Sequence, residues 1–227
     1  MASQSVRVST STTYPLLEVQ NLGRQIESRW IWRNFTFSVQ PGERLAVTGP
    51  SGSGKSLLLR AIATLDPIQT GEIAFCSKPL SQWSVPEYRT QVIYLHQRPA
   101  LWEGTVEFNL QRVFTLKSHR RKTYSREMIL NYLDKLGRSS QFLQQPSSSL
   151  SGGESQIVAF LRALQLDPQI FLLDEPTASL DAETVRQFEL LVQTWQAEEA
   201  NRAYLWTSHD PSQLKRITDR AMGVGET

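Results

Sequence analysis

Gly49-Pro50-Ser51-Gly52-Ser53-Gly54-Lys55-Ser56 is the stretch that decides how this chain is read. Gly49, Gly54, Lys55 and Ser56 fill the fixed positions of a phosphate-binding P-loop, G-x-x-x-x-G-K-[ST]. Before it, Arg44-Leu-Ala-Val-Thr48 has the apolar, β-branched texture of a short strand, and after it Leu57-Leu-Leu-Arg-Ala-Ile62 has helical composition. The motif needs that frame, because its glycines let backbone N–H groups turn inward and the helix N-terminus adds positive dipole. The backbone from Gly49 to Leu57 is therefore expected to wrap the phosphates of a nucleoside triphosphate. Lys55 is expected to reach the β- and γ-phosphates, and Ser56 to ligate Mg²⁺. A glycine-rich turn that merely caps a helix is the bland alternative, and the flanking strand and helix weigh against it.

An acidic counterpart stands about 120 residues downstream, in Ile170-Phe-Leu-Leu-Asp174-Glu175. Four apolar residues read as a buried central strand, which would deliver Asp174 to the carboxyl edge of a sheet beside the P-loop. A Mg²⁺ shell takes a hard anionic oxygen at that place. Glu175, one residue on, is placed to polarise the water that attacks the γ-phosphate. A strand ending in two acids is common by itself; its coupling to the P-loop makes it informative.

Bulk properties bound the rest. The 227 residues suffice for one large domain or a core with a lobe. A net charge of +2 is too near balance to argue for nucleic acid. The densest basic stretch, His119-Arg-Arg-Lys122, reads as a solvated face, with anionic lipid or a partner as the alternative. The single cysteine, Cys76, ends the apolar run from Ile73 and is expected to be a small buried hydrophobe; no internal disulfide can form. No stretch approaches the ~18–20 apolar residues of a membrane span. The Ser/Thr-rich residues 1–14 read as a disordered tail without the apolar centre of a secretory signal, a transit peptide being the alternative.

Along the chain, Leu16–Gln20 and Phe35–Val39 read as strands around a polar turn region, and a strand pair is expected across Gly71–Ser77. Val92–Leu95 is a compact strand. Beyond Pro99 helical texture takes over, notably Arg126–Leu136 with Ile129, Leu130, Leu133 and Leu136 on one face. A helix from Glu154 to Gln165, a helix over Ala182–Asn201, a last core strand at Tyr204–Thr207 and a final helix from Pro211 complete the reading. The predicted fold class is α/β: a three-layer, mainly parallel P-loop NTPase core of RecA-like type, an N-terminal antiparallel β-subdomain and an inserted α-helical subdomain. The expected division is core 15–97 and 155–227, with the helical subdomain at about 98–154.

Leu150-Ser151-Gly152-Gly153-Glu154, at the start of a predicted helix, is a second phosphate cradle: a serine hydroxyl and two glycine N–H groups at a helix N-terminus. It resembles the Leu-Ser-Gly-Gly-Gln signature of the ATP-binding cassette (ABC) ATPases. The resemblance runs from about Leu16 to Arg220. It implies a head-to-tail dimer, in which each ATP lies between the P-loop of one subunit and Ser151, Gly152 and Gly153 of the other. It also implies roles for Gln97, the Q-loop glutamine that contacts Mg²⁺, for Ser179-Leu-Asp181, the D-loop, and for His209, the switch histidine on the γ-phosphate. Two departures stand out. The slot of the usual adenine-stacking tyrosine falls near Ile26, leaving Trp30 or Trp32 as aromatic substitutes or as hairpin packing. A common arginine is replaced by Ile157, while Arg162 is retained.

Within the family, a compact single cassette with a Q-loop and helical lobe is similar to the ATP-hydrolysing subunits of transporters. That implies ATP and Mg²⁺ as cofactors, a separate membrane permease received in the groove around Gln97–Glu107, no nucleic acid, and a peripheral place on the cytoplasmic face of the inner membrane. The alternative is a soluble, non-transport ABC ATPase acting on a nucleic-acid or ribosomal partner. Pro86-Glu-Tyr-Arg89, Pro99–Thr105 and Leu205-Trp-Thr-Ser-His209 are similar to a FetA-like group linked to iron export and metal stress, with phosphate-import cassettes a near relation.

Overall fold

The computed structural model describes residues 14–225, so the expected tail at residues 1–14 lies, all but Tyr14, outside the described residues. The apolar run Ile170–Asp174 forms β7, flanked by β6 (Val92–Leu95) and β8 (Ala203–Thr207), with β3 (Arg44–Thr48) and β9 (Arg220–Gly223) beyond. These strands make a wholly parallel five-stranded sheet in the order β6-β7-β8-β3-β9. Successive side chains of a strand point to opposite faces. Accordingly Ile170 and Leu172 pack with Leu205, Val47 and Leu58 on one face, while Phe171 and Leu173 pack with Tyr204, Trp206 and Phe188 on the other. Both faces are covered, which is why these strands carry unbroken apolar runs rather than alternating ones.

On the first face, helix α1 (Lys55–Ile62) is sandwiched between this sheet and a second, antiparallel one. The second sheet runs β2-β1-β4-β5, from β1 (Leu17–Ile26), β2 (Arg29–Val39), β4 (Thr70–Phe75) and β5 (Lys78–Pro79), and α2 (Val85–Gln91) follows it. The other face carries α5 (Gly152–Leu164), α6 (Ala182–Glu198) and α7 (Pro211–Ile217). There the rings of Phe160, Phe171, Phe188, Trp195 and Trp206 form a chain of aromatic contacts with centroids 4.0–6.0 Å apart. Each such pair contributes about 0.5–1.5 kcal/mol beyond its buried area.

Between β6 and α5 the described residues hold only α3 (Val106–Arg112), α4 (Arg126–Lys135) and short 3-10 turns, plus one isolated bridge, Thr105 to Pro146. Leu110, Ile129 and Leu133 share one continuous apolar cluster with Phe160 and Phe171, so the helical lobe is packed onto the core through α5. No described helix is long and apolar enough to cross a membrane.

Several sequence expectations are corrected. The first two strands run much further than expected and close in a tight turn at Glu27–Ser28, Glu27 being left-handed at φ 54°. Polar residues in an exposed hairpin carry no apolar alternation, so its extent was illegible. Tyr204–Thr207 is not the last core strand, since β9 pairs with β3 beyond it. Cys76 is exposed, not buried: it sits at φ 51° in the β4–β5 turn, where the chain leaves the core. His119 is buried, whereas Arg120, Arg121 and Lys122 stay exposed as expected, with the Lys122 amine donating to the Leu166 carbonyl.

Candidate active site

In a parallel sheet the carboxyl ends of all strands lie at one edge. The loops after β3, β6, β7 and β8 therefore converge there, bringing Gly49–Lys55, Gln97, Asp174–Glu175 and His209 together from distant parts of the chain. A cleft of about 250 Å³ at this edge is lined by Ser51, Gly52, Gly54, Lys55, Ser56, Leu57, Glu175 and His209.

The P-loop is tightly built. Gly54 is left-handed at φ 94°, and a Cβ there would stand 2.5 Å from Ile31 Cγ2 and 2.9 Å from Trp32 Nε1. Gly49, at φ 139°, leaves no room either, since a Cβ would meet the Val224 carbonyl at 2.4 Å. No side chain caps the N-terminus of α1, so its first N–H groups face the cleft as anion donors. Lys55 Nζ donates to the Gly49 and Pro50 carbonyls at 2.9 and 3.0 Å. The Ser53 hydroxyl is buried without a partner among the described residues, a polar group suited to a polar ligand.

The acidic side is wired through hydrogen bonds. Thr207 Oγ1 donates to Asp174 Oδ1 at 2.9 Å and accepts from the Glu175 N–H at 2.9 Å. The Tyr94 hydroxyl donates to Asp174 Oδ2 at 2.8 Å. Burial first, and then the Asp174 carboxylate, push the Tyr94 phenol above its ordinary pKa. Glu175 accepts from Gln97 Nε2 at 2.8 Å and lies 2.9 Å from His209 Nε2. Its backbone is left-handed, φ 47°, a conformation that costs a non-glycine residue about 1–2 kcal/mol and turns the carboxylate toward the P-loop cleft. Such an acid at a cleft can orient and deprotonate a water, with the amide and imidazole holding its two oxygens.

Ser56 and Asp174 offer hard oxygens to a divalent cation. Among the described residues no group of three or more His, Cys, Asp or Glu forms a ready-made cage. A hydroxyl and one carboxylate fit Mg²⁺, which takes few protein ligands and fills its shell with phosphate oxygens and water.

Ser151, Gly152 and Gly153 begin α5 outside the lining of this cleft. Ser151 and Glu154 form a reciprocal capping box: Ser151 Oγ accepts from the Glu154 N–H, and Glu154 Oε2 accepts from the Ser151 N–H at 2.9 Å. That N–H bond chiefly, with Arg138 assisting, holds the Glu154 carboxyl below its ordinary range. Gly153 lies against the D-loop, where a Cβ would meet the Ser179 carbonyl at 2.6 Å. Asp181 caps α6 by accepting from the Glu183 and Thr184 N–H groups.

Of the two aromatic candidates on β2, Trp32 is buried beside Gly54, its Nε1 without a partner among the described residues. Trp30 instead packs on Gly23 and Thr70, with the Arg33 guanidinium 5.0 Å from its ring. Ile157 is fully buried in the core, and Arg162 lies 5.0 Å from the Trp102 ring while donating to the Ala100 carbonyl. Sequence reasoning missed Tyr94 and the bridging role of Thr207. Only strand register reveals them, since Thr207 pairs with Asp174 and Tyr94 with Leu172.

Residues 32–178 match the family model described as ABC transporter. The chain is 34% identical to "Probable iron export ATP-binding protein FetA" of Escherichia coli (strain K12), over 88% of this chain and 87% of that protein. It is 31% identical to the sulfate/thiosulfate import ATP-binding protein CysA of Photorhabdus laumondii, over 91% of this chain and 57% of CysA. The dimeric ATP-binding cassette MJ0796, in a post-hydrolysis state bound to ADP and Pi, superposes with a TM-score of 0.78 at 25% identity, covering 92% of this chain and 94% of that one. With a P-loop, an acidic strand end and a signature helix in one α/β frame, the chain belongs to the ABC transporter family, as an ATP-binding subunit that hydrolyses ATP.

Proposed function

We propose that this subunit drives a metal exporter, iron being the cargo, by closing as a head-to-tail homodimer around two Mg²⁺–ATP beneath a separate membrane permease on the cytoplasmic face of the inner membrane. The observation that carries the catalytic part is Glu175, held at the P-loop cleft between Gln97 and His209. The likeness to FetA, which covers 87% of that protein, supports iron export.

In this reading Lys55 leaves the Gly49 and Pro50 carbonyls for the β- and γ-phosphates, and the backbone from Gly49 to Leu57 cradles them. Ser56, Asp174 and Gln97 would hold Mg²⁺, which when bound would supply positive charge against the phosphates. Glu175 takes the proton of the attacking water, and His209 stabilises the γ-phosphate side of the cleft. Ser151, Gly152 and Gly153 of a second copy complete the phosphate contacts. Trp30 is the ring offered to the base, because it is part-exposed whereas Trp32 is buried. Closure on ATP and reopening after hydrolysis move the permease by differential affinity for the two forms.

The test is to tag Glu175→Gln, solubilise membranes with ATP and Mg²⁺ present, and identify what co-purifies. A multi-spanning permease whose deletion raises cellular iron supports the proposal. Recovery with ribosomes or nucleic acid alone overturns it in favour of a non-transport ABC ATPase.

A further inference from the structure

Asp174 is buried, and each of its two carboxylate oxygens already has a donor from a neighbouring strand. Thr207 stands directly opposite it on β8. Tyr94 stands on β6 opposite Leu172, two residues back. Residues two apart share a face of a strand, so Tyr94, Leu172, Asp174 and Thr207 all present to the α1 side of the sheet. A phenol bridges that diagonal offset, whereas a phenylalanine would pack equally well but end short of the carboxylate. Each carboxylate oxygen has two acceptor sites, so the two donors fix the plane of the group and leave a lone pair on each oxygen for a cation.

We propose that Tyr94 is a positioning residue for the divalent cation, locking Asp174 in the one orientation that ligates it. The inference rests on the assignment of Asp174 to Mg²⁺ made above. Partners that orient a ligating carboxylate commonly contribute about 10–100-fold to metal affinity. Tyr94 has a further property that Thr207 lacks: it also lines a groove of about 690 Å³ between the sheet and the helical lobe, together with Arg60, His96, Arg98, Pro99 and Arg162. The hydroxyl that holds the metal ligand thus belongs to a side chain that also lines this groove.

The test uses the full chain and Tyr94→Phe, which removes the hydroxyl and keeps the ring. Binding of a fluorescent ATP analogue is measured with Mg²⁺ and with EDTA, and turnover is followed across a Mn²⁺ titration. The Mg²⁺-dependent gain in nucleotide affinity should fall about tenfold in the variant, while the affinity in EDTA and the melting temperature stay unchanged. The Mn²⁺ concentration for half-maximal turnover should rise by a similar factor, with kcat at saturating metal much less affected. Equal metal dependence in both proteins overturns the role of Tyr94. An equal loss of affinity in EDTA also overturns it, because Tyr94 then only packs. A wild-type protein showing no Mg²⁺-dependent gain at all removes the metal assignment itself, and the inference with it.

Discussion

Two helices in this molecule begin on glycine-rich loops, and their first turns are finished in opposite ways. At α1 the cap position is Gly54, no side chain satisfies the first N–H groups, and the loop backbone curls around Lys55. At α5 the cap is Ser151, whose hydroxyl and the Glu154 carboxylate satisfy the end reciprocally. The first end is unfinished by its own chain and sits beside Glu175 and His209. The second is self-sufficient as a helix cap, and its glycines press on Ser179 and Leu180 rather than on any acid of the cleft. Both are anion sites by the physics of helix ends, yet only the first is surrounded by groups that can do chemistry. On the proposed function, the contrast separates a catalytic half-site from one that serves a second copy of the chain.

The sharpest way to break that contrast is Glu175→Gln. Turnover should drop by about 10²–10³-fold or more, as expected for loss of a general base, while ATP binding persists. Steady-state phosphate release and filter binding of labelled ATP read the two quantities, and near-normal turnover would move the base elsewhere. Gly153→Ala attacks the other half. The added methyl would stand 2.6 Å from the Ser179 carbonyl, and relieving such a contact costs about 1–3 kcal/mol. The fold should lose about that much stability in a thermal melt and hydrolysis should fall, whereas ATP affinity of the dilute monomer stays unchanged. A parallel loss of monomer affinity would show that the two half-sites are not separable.

The smallest effect is pH-dependent. Because the folded-state pKa of Glu154 is depressed, its capping contribution is complete above the ordinary carboxylate value and is lost as pH falls through the depressed one. Glu154→Gln keeps the acceptor oxygen but not the charge. Thermal melts at pH 7 and pH 3 should therefore show the wild type ahead by less than about 1 kcal/mol at neutrality and losing that margin in acid. An identical margin at both pH values would make the cap indifferent to charge.

Much of both halves was legible because their residues are contiguous words: Gly49–Ser56 and Ile170–Glu175 in the first and Leu150–Glu154 in the second each have a fixed local spacing. The buried strands were legible for a related reason, since burial on both faces demands unbroken apolar runs. What escaped had no local signature. Arg220–Gly223 holds no β-branched or aromatic residue that would mark a strand, and is one only because β3 lies alongside. Cys76 follows apolar residues but stands one position past the end of β4, where the chain turns outward. His119 sits in a basic run, yet its ring is buried.

By itself the sequence determined that this chain wraps phosphates, supplies an acid at a strand end and starts a second helix on a serine and two glycines. These properties are set by backbone freedom, helix dipoles and side-chain chemistry within a few residues, and need no distant partner. Only the tertiary structure decided who holds the acids. Tyr94, Gln97, Thr207 and His209 reach Asp174 and Glu175 because a parallel sheet brings strands that are far apart in sequence into register and gathers their carboxyl ends at one edge.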